Sequence, residues 1–443
     1  MEPEPVESGR TFRQVPFREA LGFWVRLGFT SFGGPAGQIA MIHAELVERR
    51  RWITEPQFLN ALNFCMLLPG PEAQQLATYL GWLLSGTAGG VAAGALFVLP
   101  SALLLWLLSW AYATCGSLPW VAGMFYGLKP VVLALVVASA WRIGSKTLTS
   151  RLLWVLAAAA FASLALLKAP VPLILVGAAL AGFVGGRLLP RAFPRRANAT
   201  APAERGVATP GNVTRPRQPP GVWNSLRSAA LWLVVWWAPV LLTGTWLGWQ
   251  HSVSAIGVFF GKAAVLTFGG AYAVLPYVAE QAVGHFQWLS HSQMLDGLGL
   301  AETTPGPALI VLQYVGFLGA WNQHGNLPPL LSGTIGAFLS TWGTFAPSFL
   351  WIFVGAPYME LLRGQARLGC MLTAITAAVT GLILNLALWL GSQVLWSTTG
   401  GPDWFACCLC AFSLWGILIR QWRFQWFAIA SALAGIVRQF VFC

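Results

Sequence analysis

The sequence has few charged residues. Only 9% of its 443 residues are Asp, Glu, Lys or Arg, whereas soluble globular domains carry about 25%. Apolar residues make up 56% of the chain, and they form long unbroken runs rather than alternating ten-residue segments. Because backbone polar groups must be paired in a bilayer, such runs form membrane-crossing helices. The composition therefore excludes an ordinary soluble enzyme and predicts an all-α polytopic membrane protein.

Acids and histidines are scarce too, with 14 Asp plus Glu and five His. The sequence shows neither clustered carboxylates at metal-ligand spacing nor a nucleophile–histidine–acid arrangement. Three neighbouring cysteines, Cys407, Cys408 and Cys410, lie in an apolar run without a nearby histidine, which favours membrane packing over metal binding. We therefore expect no metal, no cofactor, no catalytic residues and no enzymatic activity.

The chain is nevertheless basic, with a formal net charge of +12. The charge lies in short runs between apolar segments and in one Pro- and Arg-rich stretch, which is the distribution that membrane topology produces. It does not form the basic stripe of a nucleic-acid-binding surface. The expected partner is therefore the lipid bilayer and not a nucleic acid.

Two rare motifs occur twice at one spacing. Phe32-Gly33-Gly34 recurs 236 residues later as Phe268-Gly269-Gly270, and Pro69-Gly70-Pro71 recurs at the same offset as Pro305-Gly306-Pro307. A gap-free match of glycine and proline motifs over this distance indicates an internal duplication. The chain therefore consists of two homologous halves.

The charged loops predict that the two halves insert with opposite orientation. The basic run at 49–51 corresponds to uncharged residues near 285–287, whereas Arg363 and Arg367 correspond to an uncharged loop near Pro119. Positive loops lie on the cytoplasmic side, so equivalent loops are expected on opposite sides. Such inverted-topology repeats are common in secondary transporters.

The predicted organisation has five parts. They are a cytoplasmic N-terminal tail (1–16), a first repeat (17–187), a basic cytoplasmic linker (188–222), a connecting transmembrane helix (223–250) and a second repeat (251–443). We expect long spans over 88–114, 120–141, 149–168, 171–187, 228–248, 330–355, 368–390, 403–420 and 424–441. Glycine and proline interrupt four further segments, which we expect to be broken or hairpin helices: 17–44, 56–86, 254–283 and 290–321.

These interruptions are the candidate binding site. Pro35, Pro71 and Pro307 are placed to begin half-helices, with Ala271 in the fourth equivalent position. Helix N-termini offer free N–H groups and a positive dipole end, so four of them together predict an anion site; the alternative is that the motifs are only kinks and packing contacts. The candidate binding residues at the breaks are Thr30, Ser31, Gly33, Gly34, Pro35, Gln38, Pro69, Gly70, Pro71, Thr267, Gly269, Gly270, Thr304, Pro305, Gly306 and Pro307.

Three cations inside apolar segments are further candidates. Arg26 and Lys262 are equivalent under the 236-residue offset, and Lys129 lies in the run 120–141. A charge inside a membrane segment is costly and therefore suggests function, although a long side chain can also extend to the interface. We expect these cations to balance the charge of a bound anion.

Four groups are candidates for carrying a coupled proton: Glu302, Glu72, Glu45 and His43. Glu302 is the strongest of them, because it lies in an apolar context three residues before Pro305. Glu72 directly follows Pro71, where an acid also stabilises a helix N-terminus.

The sequence resembles the chromate ion transporters in their long form with two fused halves. The matching stretches are 32–40 (FGGPAGQIA), 51–53 (RWI), 67–77 (LLPGPEAQQLA), 266–276 (LTFGGAYAVLP) and 299–307 (GLAETTPGP). Members often have histidine at the position of Gln38, so no proton role is expected for Gln38 here.

The resemblance implies efflux of chromate across a bacterial inner membrane and chromate resistance, with sulfate open as a second substrate. A homodimer also remains open. Two alternatives are a broader oxyanion or organic-anion exporter and a membrane-embedded enzyme acting on phosphorylated lipids. Inverted repeats and the lack of catalytic groups favour a transporter.

Overall fold

The protein is an almost entirely helical bundle. A computed structural model describes residues 15–31, 34–116, 118–188, 193, 221–268, 271–358, 366–396, 401–420, 422 and 424–442. The predicted tail and linker lie mostly outside these ranges, as do Gly33, Gly269 and Gly270 of the candidate site. The boundaries of the five predicted parts therefore stay predictions.

The described residues of the first half and of the connecting helix form eight α-helices. In chain order they are α1 (Phe17–Thr30), α2 (Gly34–His43), α3 (Glu55–Cys65), α4 (Glu72–Cys115), α5 (Pro119–Thr147), α6 (Arg151–Ala165), α7 (Val171–Leu188) and α8 (Val222–Leu247). The second half contributes α9 (Ser252–Val265), α10 (Ala271–Ala279), α11 (His291–Thr303), α12 (Val311–Asn322), α13 (Pro329–Gly355), α14 (Ala366–Val394), α15 (Trp404–Leu418) and α16 (Phe424–Phe442).

Seven of the described helices are long and apolar enough to cross a membrane, namely α4, α5, α7, α8, α13, α14 and α16. Each coincides with one of the nine predicted spans, which confirms a polytopic helical membrane protein. The predicted spans 149–168 and 403–420 correspond to α6 and α15, which have only 15 residues each. At about 1.5 Å per residue they are shorter than a hydrocarbon core of about 30 Å, so these two predictions were too long.

All four segments that were predicted to be broken are broken. Helix α1 ends at Thr30 and α2 begins at Gly34, and α9 ends at Val265 and α10 begins at Ala271. The α3–α4 and α11–α12 pairs are interrupted at the Pro-Gly-Pro motifs. A further kink divides α4, where Ser85 and Gly86 have non-helical backbone angles and Gly86 has a φ of +67°. This kink separates the predicted segment 56–86 from the predicted span 88–114.

The two halves share unusual backbone details at equivalent positions. A π-helical turn follows α2 at Ala44–Arg49 and follows α10 at Glu280–His285. After each turn comes a residue with a φ of 52°, Arg51 in one half and Gln287 in the other. The next helix then begins with a capping box, built by Thr54 and Gln57 on α3 and by Ser290 and Gln293 on α11. These details support the duplication read from the motifs.

Glycines allow α5 and α16 to pack with their backbones in contact. A Cβ atom on Gly127 would overlap the carbonyl oxygen of Ser431, and one on Gly435 would overlap the carbonyl oxygen of Gly123. Close approach through small residues is a usual way for helices to associate in membranes, where lipid provides no hydrophobic driving force.

This packing predicts that Gly127→Ala destabilises the bundle. The added methyl group forces the two backbones apart, and overpacking of this kind costs about 1–3 kcal/mol. We expect a lower apparent melting temperature of the purified protein in detergent.

Gly177→Ala on α7 is the matched control, because nothing lies within 4 Å of a Cβ atom at that position. This variant should melt at the wild-type temperature or slightly above it, since alanine favours helix. Equal melting temperatures for the two variants would contradict the close α5–α16 contact.

Candidate functional site

Each Pro-Gly-Pro loop contacts the helix break of the opposite half. The Gly70 N–H donates to the carbonyl oxygen of Thr267 at 2.7 Å. The Gly306 N–H donates to the carbonyl oxygen of Ser31 at 2.8 Å. Because Ser31 and Thr267 are equivalent, and Gly70 and Gly306 are equivalent, the two bonds are related by the 236-residue offset. We call these four residues and the prolines beside Gly70 and Gly306 the crossing centre.

The crossing centre requires glycine at both loop tips. Gly70 has a φ of +126° and Gly306 a φ of +113°, which other residues rarely adopt. A Cβ atom on Gly306 would also overlap the Ser101 side chain, and one on Gly70 would lie 2.7 Å from Gln75 Nε2 and 3.4 Å from Ser348 Oγ. Each loop therefore packs against a serine of a long helix from the other half, Ser101 on α4 or Ser348 on α13.

Four helices begin beside this centre. Helix α4 begins directly after Pro71, and a short 3₁₀ turn at Ala308–Ile310 leads from Pro307 into α12. Neither Pro71 nor Pro307 provides a side-chain cap. Both prolines occupy the N-cap position, whereas the sequence predicted them to be the first helical residues. Each helix or turn therefore begins one residue later than predicted. Pro35 lies in the first turn of α2, and α10 begins at Ala271, so the predicted half-helices begin where the motifs lie.

Two buried glutamines hold the loops. Gln38 Nε2 donates to the carbonyl oxygen of Gly306 at 2.5 Å, and Gln75 Nε2 donates to the carbonyl oxygen of Pro69 at 2.7 Å. A carbonyl oxygen only accepts, so these contacts fix the orientation of both amides. Within the described part of the chain, Oε1 of Gln38 and of Gln75 has no hydrogen-bond partner.

Two serine hydroxyls at the crossing centre are also unpartnered. Ser31 Oγ and Ser348 Oγ are buried without a hydrogen-bond partner among the described residues. An unpaired buried polar atom costs about 1–3 kcal/mol. The centre therefore keeps both donor and acceptor capacity that the described residues do not use, which is typical of a binding site.

The threonines predicted for the site are bonded within their own helices or turns. Thr267 Oγ1 donates to the Ala263 carbonyl at 3.0 Å, and Thr304 Oγ1 donates to the Ala301 carbonyl at 2.7 Å. Thr30 is exposed. The structure therefore brings Thr267 and Thr304 to the buried centre but leaves Thr30 outside it.

The predicted cations are not buried at the crossing centre. Arg26 and Lys262 are exposed on α1 and α9, and no described carboxylate lies within 4.0 Å of either. Lys129 instead forms an ion pair on the neighbouring helices, with its Nζ 3.6 Å from Asp296 Oδ1 and 2.7 Å from Ser292 Oγ. Arg26 and Lys262 are thus both exposed, as their equivalent positions would suggest, and their predicted role toward the anion stays a prediction.

Asp296 is a buried charge that the sequence reasoning missed. Only 4% of its surface is exposed, and it accepts a hydrogen bond of 2.8 Å from the Tyr112 hydroxyl besides pairing with Lys129. The duplication carried a usable signal, because the equivalent residue of the first half is Asn60. An acid that replaces an amide in only one repeat indicates a role that the fold alone does not need.

Glu302 lies next to the centre on α11. Its Oε1 accepts a hydrogen bond of 2.6 Å from the Tyr272 hydroxyl on α10. The equivalent residue of the first half is Met66, so this acid too occurs in one repeat only.

The other proton candidates lie elsewhere. His43 contacts the carboxylates of Glu48 and Glu55 at 3.2 and 2.6 Å. Glu45 is bound by Arg49 at 2.5 Å, and this hydrogen bond lowers the pKa of the Glu45 carboxyl. Both residues therefore belong to a charge cluster after α2. Glu72 is the first residue of α4 and adjoins the crossing centre.

Comparison with known proteins agrees with this architecture. The sequence model of the chromate transporter family matches twice, over residues 18–183 and 254–436. A chromate transport protein of Pseudomonas aeruginosa is 32% identical over 399 residues, 88% of this chain and 86% of that protein. A chromate transport protein of Cupriavidus metallidurans is 29% identical over 394 residues, which cover 88% of this chain and 87% of that protein.

A probable chromate transport protein of Synechococcus elongatus is 29% identical over 420 residues, 94% of each chain. No solved structure matches. These relatives are named as transport proteins and not as enzymes. Two family matches, near full-length relatives and a duplicated helical membrane fold lead to one conclusion: the chain belongs to the chromate transporter family.

Proposed function

We propose that the protein is a secondary active transporter that exports chromate across a bacterial inner membrane and so confers chromate resistance. The observation that carries this proposal is the crossing centre, where unpartnered buried polar atoms and two helix starts from opposite halves converge. The names of the relatives support chromate as the substrate. The basic residues of the linker support a cytoplasmic location for it and for the N-terminus.

A tetrahedral oxyanion fits the donors of this centre. The Ser31 and Ser348 hydroxyls are free to donate, and the first turns after Pro71 and Pro307 lack side-chain caps. Helix N-termini favour negative charge. In a dehydrated site these hydrogen bonds are stronger than in water. We infer that the oxyanion binds between the two loops and contacts both halves.

The crossed bonds also supply a mechanism for alternating access. Each loop is attached to the break of the other half, so a rocking motion of one half moves both loops together. Inverted repeats that rock around a fixed site are a common mechanism in secondary transporters. Sulfate has the same shape as chromate, and the sequence analysis leaves it open as a substrate.

The first test is chromate flux into proteoliposomes that contain the purified protein. The wild-type protein is expected to transport chromate, and Gly306→Ala is expected to lower the rate at least tenfold, since its side chain would displace the loop from Ser101. Absence of chromate flux in the wild-type protein would contradict the proposed function.

Gly248→Ala is the matched control for this variant. Gly248 also has a positive φ of +89°, but nothing lies within 4 Å of a Cβ atom there. Its substitution introduces similar backbone strain far from the loops, so transport should be retained. A similar loss of flux in both variants would mean that strain alone, and not the loop contact, explains the effect.

Among the side chains of the protein, we propose Glu302 as the carrier if the coupled proton is not carried by the substrate itself, because Glu302 is an acid beside the centre with a hydroxyl partner. Glu302→Gln should then retain chromate binding but lose the dependence of flux on an imposed pH gradient. Glu19→Gln is the control, since Glu19 is an exposed acid 3.7 Å from Arg50. Unchanged gradient dependence in Glu302→Gln would remove Glu302 from the mechanism.

A further inference from the structure

The unpartnered atoms of the crossing centre include acceptors as well as donors. Ser31 Oγ and Ser348 Oγ have hydrogen atoms to donate, whereas Oε1 of Gln38 and of Gln75 only accepts. A fully deprotonated oxyanion has no hydrogen atom to offer to these two amide oxygens. If such an oxyanion lay against the two Oε1 atoms, the negative ends of both amide dipoles would point at it and repel it.

The orientation of the two amides cannot be reversed without loss. In each case Nε2 donates to a backbone carbonyl, of Gly306 for Gln38 and of Pro69 for Gln75. Turning either amide would bring two acceptor oxygens together. The two Oε1 atoms are therefore fixed acceptors for which the described residues provide no donor.

The charged side chains around the centre also argue against a doubly charged ligand. A dianion in a dehydrated site needs about two balancing cations, because the cost of burying an ion rises with the square of its charge. Arg26 and Lys262 are exposed, and Lys129 is neutralised by Asp296. The two acids beside the centre add no positive charge. The described residues of the centre itself thus provide dipoles and hydroxyls, which suit a single negative charge better than a double one.

We propose that the crossing centre binds the oxyanion in its monoprotonated, singly charged form, for chromate the hydrogen chromate ion. Its O–H group donates to a glutamine Oε1, and its remaining oxygens accept from the serine hydroxyls and the helix starts. This inference rests on the proposed function and specifies its substrate. Chromate takes up a proton near neutral pH, whereas sulfate and selenate remain dianions there, so the site would distinguish anions of equal shape.

A dependence of flux on protons could also come from a titrating side chain of the protein, so the test must distinguish a proton on a side chain from a proton on the oxyanion. Titratable or charged side chains on the helices around the centre include Arg26, Glu72, Lys129, Lys262, Tyr272, Asp296 and Glu302, and also Glu19, Tyr112, Arg142, Tyr277, His291 and Tyr314. If one of them carries the proton, sulfate and selenate should bind and should show the same pH dependence as chromate. If the substrate carries it, both should fail to compete at any pH near neutrality.

The experiment measures chromate flux into proteoliposomes with equal pH on both sides. In one series the concentration of hydrogen chromate is held constant while pH changes, and in the other the concentration of the dianion is held constant. We expect a constant rate in the first series. In the second series we expect the rate to fall about tenfold for each unit by which the pH rises. Excess sulfate or selenate should not inhibit the flux.

Three results would overturn the inference. A constant rate at constant dianion concentration, or competition by sulfate comparable to that by unlabelled chromate, would show that the dianion is bound while leaving the proposed function intact. Absence of chromate flux at every pH would instead contradict the proposed function itself, and the inference with it.

A variant of Gln38 tests the acceptor directly. Gln38→Val introduces the residue found at the equivalent position of the second half, Val274. Loss of one hydrogen bond should raise the KM for chromate roughly five- to tenfold and make the fall of rate with pH shallower. Gln393→Val, at an exposed position of α14, is the matched control and should change neither. An equal loss of rate at every pH would indicate that Gln38 only supports the loop.

Arg26→Ala and Lys262→Ala provide a second, independent readout. A singly charged ligand does not need these exposed cations as partners, so both variants should retain the wild-type KM for chromate. A rise in KM of tenfold or more in either variant would place a cation in the site and would favour the dianion.

Discussion

The structure depends on one constraint, which is that a helix broken inside a membrane must find partners for the backbone groups it frees. The four breaks of this chain meet that constraint in pairs. Gly70 donates to the carbonyl of Thr267, and Gly306 donates to that of Ser31. Because each bond joins one half to the other, neither half completes its own breaks. The duplicated motifs thereby produce a single shared centre with unused polar atoms around it.

Few charged side chains lie near this centre among the described residues, and the buried ones have partners. The buried Asp296 is compensated by Lys129 and by the Tyr112 hydroxyl, and Glu302 is held by Tyr272. Both acids belong to the second half only, since Asn60 and Met66 stand at the equivalent positions. The repeats are therefore similar in backbone but different in chemistry.

Much of the fold could be predicted from the sequence, because glycine and proline act through backbone rules that do not depend on distant residues. The breaks after Thr30 and before Pro71 followed from these rules. The exposure of a side chain did not, since it depends on which helix face packs inward; Arg26 was expected to balance a buried anion, and its side chain is exposed on α1. The crossed bonds were also inaccessible, because no local pattern shows which loop meets which break.

The central claim is that the transported oxyanion binds between the two Pro-Gly-Pro loops. Its most direct test is an experimental structure with bound chromate, in which anomalous scattering from chromium locates the ion independently of its shape. The account predicts a chromium peak within hydrogen-bonding contact of Ser31 or Ser348 and beside the tips at Gly70 and Gly306. A peak at the exposed side chains of Arg26 or Lys262, with no peak between the loops, would contradict it.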